Sequence, residues 1–165
     1  MQYQQEQQEQ HIRRAQEEDV PRLVALSSAK RTLYQAYQPQ FWRRAADADE
    51  RQEPFLKRLI ARENVIALVY EQGDTILGFV IAQLVPAPPV YDPGGLTCSI
   101  DDFCVEGDAD WPGIGRALLE AAIAEAQAHG AAQTVVVCAH LDEPKRAMLS
   151  ASGFSIASEW YVKGM

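Results

Sequence analysis

The sequence predicts a mixed α/β domain, a twisted sheet of six to seven strands flanked by helices. Three observations carry the prediction. Apolar runs of strand length, Val65 to Tyr70, Ile76 to Ile81, Leu96 to Val105 and Thr134 to Cys138, are each bounded by turn residues. Stretches of helical composition alternate with them. The chain has 165 residues and is 47% hydrophobic, enough for one core and short for two.

The elements follow in order. Residues 1–10 are almost all Gln and Glu and are expected to form a disordered tail ahead of a domain over 11–165. His11 to Ala15 reads as a short strand. Asp19 reads as a helix N-cap, with Pro21 in the first turn and Leu23, Val24 and Leu26 on the apolar face. The stretch from Ser27 to Arg62 is helical but broken, with Pro39 and Pro54 as boundaries and Asp47 to Glu53 as a polar break. Its aromatics Tyr34, Tyr37, Phe41 and Trp42 either pack helices onto the sheet or line a substrate pocket. Gly73-Asp74 joins two strands as a hairpin. After the Pro-rich loop and the Leu96 to Val105 strand comes a helix from Gly113 to about Ala128, stopped at His129-Gly130. Thr134 to Cys138 is expected to be a fully buried strand. Pro144 to Ala151 is a helix, and Phe154 to Val162 closes the sheet as one or two strands. The order is strand, two helices, three strands, helix, strand, helix and a final strand or pair. A largely antiparallel first half and a crossover in the second are implied.

Composition excludes several classes. The formal charge of -8, from 15 Lys+Arg and 23 Asp+Glu, argues against a nucleic-acid partner. No apolar stretch approaches membrane-spanning length, and no leader peptide is visible. Cys98, Cys104 and Cys138 are odd in number and lack a C-x-x-C pair, which suits buried thiols in the cytoplasm and neither a disulfide framework nor a metal site. The charge is uneven: residues 63–115 hold nine acids and no Lys or Arg. That field favours a cationic acceptor.

The stretch richest in chemistry is Gly113-Ile114-Gly115-Arg116 at the start of the long helix. Glycines there let backbone amides approach an anion, and the helix dipole favours a phosphate. Either they hold one or they simply make a tight turn. The G-x-x-x-x-G-K-[ST] loop is absent, and Leu118 stands where a dinucleotide fingerprint needs its third glycine, so an unrelated nucleotide-binding domain is disfavoured.

The span Ile100-Asp101-Asp102-Phe103-Cys104-Val105, five residues, then Asp110-Trp111-Pro112-Gly113-Ile114-Gly115-Arg116-Ala117-Leu118-Leu119 resembles the GNAT N-acetyltransferase superfamily. The later strand, helix and Ser152-Gly153-Phe154 fit the same pattern, so the resemblance covers nearly the whole chain. It implies acetyl-CoA as co-substrate, with Phe103, Cys104 and Val105 meeting the pantetheine arm by backbone. Gly113, Ile114, Gly115, Arg116 and Ala117 would hold the pyrophosphate, Arg116 as the fixed cation. An amide near Val105 would stabilise the thioester oxyanion. The family's Gln/Arg falls on Asp110, its next two positions on Trp111 and Pro112, its Asn on Asp142, and its tyrosine acid on Leu149. Tyr161 is the remaining candidate for that acid. The resemblance is compatible with a homodimer.

An amine must be neutral to attack a thioester, so a base is needed. Asp101 and Asp102 are the candidates, against the alternative that each is a solvated or salt-bridged acid. Strict strand alternation puts Asp101 on the face of Ser99 and Phe103, and Asp102 on that of Ile100 and Cys104. Similarity to the Glu-Asp-Phe-Phe-Val segment of spermidine/spermine N-acetyltransferases puts Asp101 ahead. Trp42 and Tyr91 are candidates to border the acceptor pocket. Cys104 is rejected as a nucleophile, because neighbouring acids disfavour its thiolate. The expected activity is direct transfer of acetyl to the primary amine of a small cationic acceptor. The rival is an acyl-CoA-binding module of the same fold with little or no catalysis.

Overall fold

A computed structural model of the chain describes residues 10–165. The Gln/Glu-rich segment 1–9 lies outside the described residues, and Gln10 already opens the first strand. The elements are β1 (Gln10–Arg14), α1 (Val20–Tyr37), α2 (Ala48–Ile60), β2 (Val65–Gln72), β3 (Thr75–Val85), β4 (Leu96–Val105), α3 (Arg116–Ala128), β5 (Ala131–Val136) and α4 (Glu143–Ala151). The sheet runs β1-β2-β3-β4-β5, antiparallel through β4, with β5 parallel to β4. A parallel neighbour requires a crossover, and α3 supplies it.

The Gly73-Asp74 hairpin forms, with Gly73 at φ 58, a conformation that costs glycine little. Asp19 precedes α1, but its carboxylate does not cap it. It accepts from both terminal nitrogens of Arg13 and from the Gln16 amide, and Arg13 also holds Glu71. β1 is thereby tied to β2 and to the entrance of α1. Pro54 lies inside α2, and the polar stretch from Asp47 is that helix's N-terminal part rather than a break.

Each face of the sheet carries an apolar layer. On one, Leu23, Leu26, Leu56 and Leu59 of α1 and α2 pack on Val69, Phe79, Ile81 and Cys104. On the other, Leu118, Leu119 and Ala122 of α3 and Met148 and Leu149 of α4 pack on Val80, Cys98, Ile100 and Phe103.

Two expectations fail at the far edge. The strand ends at Val136, and its burial is partial, with Val135 42% and Val137 41% exposed. Phe154 to Val162 forms no strand, so the sheet has five strands among the described residues. The two failures are linked. Phe154, Ile156, Trp160 and Val162 share one face by alternation, but the segment pairs with no strand, and Ile156 and Trp160 are left 70% and 82% exposed. Without a covering strand, β5 is an edge.

Candidate active site

The site forms where β4 and β5 part. Their ladder ends at the Ile100–Val136 pair, with the Val137 amide still donating to the Ile100 carbonyl at 2.9 Å. Beyond it, the Lys145 ammonium reaches from α4 to the Val137 carbonyl at 3.1 Å and the Phe103 carbonyl at 3.5 Å. Lys145 is fully buried, with the Phe103 and Trp111 rings 5.2 and 5.3 Å from its Nζ. Burial, then repulsion from Lys30, pushes its pKa down to about 8.

β4 carries a bulge here. Ile81 pairs with Asp102 and Ala82 with Ile100, so Asp101 is the extra residue. The side-chain alternation slips by one: Phe103 joins Ile100 in the α3/α4 layer, while Cys104 faces α1 and α2. Strict alternation, which would separate the two acids, therefore does not hold. Both Asp101 and Asp102 line one cavity of about 610 Å³ between β4, α1, α2 and the loop joining those helices. Asp101 is exposed, whereas Asp102 is partly buried. Burial holds the Asp102 carboxyl above the usual carboxylate range, with Lys30 opposing and Asp101 adding to the shift. This environment suits a base better at Asp102 than at Asp101.

The cavity's aromatic wall includes Tyr34, Phe41, Trp42 and Phe55. Trp42 stacks edge-on against Phe41 and tilted against Tyr34, with centroids 4.6 and 5.1 Å apart. Tyr34 belongs to both readings of these aromatics. It is 3% exposed, lines the cavity, and donates from its hydroxyl to Asp142 at 2.7 Å. Burial, then Asp142, pushes its phenol pKa up, so it remains a donor at neutral pH.

Five basic side chains also line the cavity, and three are committed: Arg31 and Arg44 to Asp49, and Arg51 to Asp47. Lys30 contacts only the Asp101 carbonyl, at 3.4 Å, and the face of Tyr34. Arg43 has no ion-pair or hydrogen-bond partner among the described residues. The sequence pattern missed both cations.

The glycine segment is a wide turn. Asp108–Asp110 forms a short 3-10 turn, and Trp111–Gly115 a π-helical turn that runs directly into α3. Asp110 accepts the Gly107 amide at 3.1 Å, and so acts as a turn cap. Trp111 is buried edge-on against Phe103, with centroids 4.9 Å apart, which pins the turn to β4. Gly115 is needed for that contact, because a Cβ there would lie 2.5 Å from the Trp111 ring. Pro112 stands in the opening turn, where its missing N–H costs little.

Gly113 differs. It is exposed, and a Cβ would meet nothing within 4 Å, so packing within the chain does not require a glycine there. Helix-start amides lack intrahelical acceptors. The bare turn around Gly113 and Ile114 therefore fits a diphosphate. Ala117 is half-buried on the first turn of α3, and exposed Arg116 pairs with Glu120 at 2.8 Å, a surface contact of small energy that a ligand can displace.

Other candidates fall elsewhere. Tyr91 is 72% exposed and does not line the cavity. Tyr161 is 89% exposed and donates to Glu159, so it is not at the site. The Phe103 and Cys104 side chains are buried on opposite faces, and Val105 is half-buried. Burial pushes the Cys104 thiol up, in keeping with an inert role. Among the described residues no cluster of His, Cys, Asp and Glu could hold a metal ion, and no helix is long and apolar enough to cross a membrane.

Lys145 was absent from the sequence-based site, yet a signal existed. It shares the buried face of α4 with Met148 and Leu149 at i, i+3 and i+4. A lysine on an apolar stripe is anomalous.

Comparison with known proteins matches residues 30–154 to the acetyltransferase (GNAT) family. No curated protein matches the chain. Among solved structures, a protein of Bacillus halodurans is similar with a TM-score of 0.82 at 19% identity, over 94% of this chain and 99% of that one. A predicted acetyltransferase from Clostridium acetobutylicum, solved with acetyl-CoA, has a TM-score of 0.73 at 18% identity, covering 94% and 96%. An aminoglycoside acetyltransferase from an uncultured soil sample, in complex with sisomicin, has a TM-score of 0.60 at 18% identity, covering 94% and 93%. These likenesses show a shared fold, and the family match spans most of the chain. The chain belongs to the acetyltransferase (GNAT) family.

Proposed function

We propose that this acetyltransferase moves the acetyl group of acetyl-CoA directly to the primary amine of a small acceptor held in the cavity beside β4. The observation that carries the reading is the placement of both Asp101 and Asp102 on that cavity, next to the parting of β4 and β5. Acetyl-CoA supplies the activated acyl group. Its diphosphate sits on the turn at Gly113 to Ala117, and its pantetheine arm runs along the backbone of Phe103, Cys104 and Val105. Asp102 takes the proton of the incoming amine, and Asp101 draws the ammonium form into the cavity.

The cavity also refines the acceptor. Its ammonium end suits the two acids, while Lys30 and Arg43 lack carboxylate partners among the described residues. An amine that also carries a carboxylate or phosphate satisfies both ends, which a polyamine does not. The aromatic wall accepts an apolar or planar body between them.

The same reading carries a cytoplasmic enzyme. A homodimer through the bare β5 edge would cover Val135 and Val137.

Release of CoA thiol is the test, run with acetyl-CoA against polyamines, aminoglycosides, amino acids and amino-phosphates. Turnover with the anionic amines supports the reading. Acetyl-CoA binding without thiol release from any primary amine would instead leave a binding module.

A further inference from the structure

The strangest group in the molecule is the Lys145 ammonium. A buried charge is retained only with strong compensation, commonly an opposite charge. Lys145 has no carboxylate within ion-pair distance among the described residues. Asp142 is committed elsewhere, accepting the Tyr34 hydroxyl and Lys145's own backbone amide. An ammonium has three N–H donors. Two point to the Val137 and Phe103 carbonyls, leaving one without an acceptor among the described residues.

We propose that Lys145 is the proton donor to the departing sulfur of CoA. The assignment rests on the cofactor placement proposed above, which brings the thioester beside the Phe103 carbonyl. Asp102 first takes the ammonium proton and releases it to water in the open cavity. The neutral acceptor nitrogen then bonds to the acetyl carbon and gives its surplus proton to the Asp102 carboxylate. The carbon–sulfur bond breaks with its electron pair on sulfur, and the Lys145 ammonium passes a proton to that sulfur. The products are the amide and CoA thiol, with Asp102 protonated and Lys145 neutral. Asp102, which lines the open cavity, returns its proton to water there, and Lys145 is reprotonated from water once the CoA thiol leaves the gap. The sequence offers Leu149 where the family's tyrosine acid falls, and Tyr161 lies outside the site. Lys145 fills that vacancy from the same helix, one turn earlier.

The charged and titratable groups facing Lys145 come from several elements: Lys30 of α1, Asp102 and the Cys104 thiol of β4, the Cys138 thiol after β5, and Asp142 just before α4. Its depressed pKa suits donation near neutral pH.

A purely structural reading has Lys145 tying the two strands together. Titrating the thiol of bound CoA by its thiolate absorbance separates the two, in a binary complex where no turnover occurs. An adjacent ammonium should lower the thiol midpoint by about one to three units relative to free CoA. Lys145→Met should return it to the free value, while kcat falls by about 10² to 10⁴. CoA that fails to bind wild-type protein overturns the cofactor placement and this assignment with it. CoA that binds wild-type protein with an unshifted thiol overturns the assignment alone, whatever the variant's folding.

Discussion

Replacing Lys145 by methionine keeps the side chain's length and removes its charge, so the stability difference between the two proteins should depend on pH. In the wild type the ammonium titrates near 8 when folded and near 10.5 when unfolded. Between those values the unfolded chain binds the extra proton. Wild-type stability therefore rises with pH across this window. From pH 7.5 to 10 the gain is about 2 kcal/mol, and the full window is worth about 3 kcal/mol. The variant lacks this term, and other alkaline titrations are common to both proteins. The offset at a single pH mixes charge removal with two carbonyls, Val137 and Phe103, left without a donor. Its change with pH isolates the charge. Urea unfolding at several pH values, with a shared slope, measures it. A difference that stays flat from pH 7.5 to 10 refutes the picture of a charged lysine sealed between the strands.

Other outcomes follow from the same geometry. Asp102→Asn should lower kcat by about 10² to 10⁴, and Asp101→Asn should act mainly on KM, as steady-state kinetics will show. Because burial raises the Asp102 pKa, Asp102→Asn should also stabilise the fold near neutral pH, an advantage that shrinks in acid as Asp102 protonates. Gly115→Ala should cost about 1 to 3 kcal/mol by overpacking against Trp111, visible as a lower thermal midpoint. Arg43→Ala should raise KM for a carboxylate-bearing amine while leaving kcat within a few fold. Val135→Lys should shift a dimer toward monomer in sedimentation, with no loss of helix or sheet signal.

Much of this was legible in the residues. The hairpin turn at Gly73-Asp74, the bounds of β4 and the end of α3 at His129-Gly130 are local signals, set by glycine chemistry and apolar period. The acids Asp101 and Asp102 stood out by type. Their shared cavity did not, because a single inserted residue in β4 overturns the alternation that governs a regular strand. A bulge depends on the register against β3, which no local pattern specifies. The cavity's cations were hidden for a related reason. The count of nine acids in 63–115 was correct, and two of them line the cavity, but its cations come from α1, α2 and the loop joining them. β5 read as buried because its residues are apolar, yet burial requires a neighbour, and 154–162 does not pair with it. Trp111 and Pro112, departures from the family pattern in sequence, proved to be a core anchor and an opening-turn residue.

The cofactor seat is the centre of the account, and Gly113 tests it most directly. Its missing side chain serves no packing purpose within the chain, since a Cβ would meet nothing within 4 Å. If a diphosphate rests against it, Gly113→Ala should weaken acetyl-CoA binding by about tenfold or more, roughly 1.4 kcal/mol, as measured by calorimetric titration. The thermal midpoint of the free protein should hold or rise, because alanine restricts the unfolded chain. Unchanged acetyl-CoA affinity in a fully folded Gly113→Ala protein would place the diphosphate elsewhere and contradict the site described above.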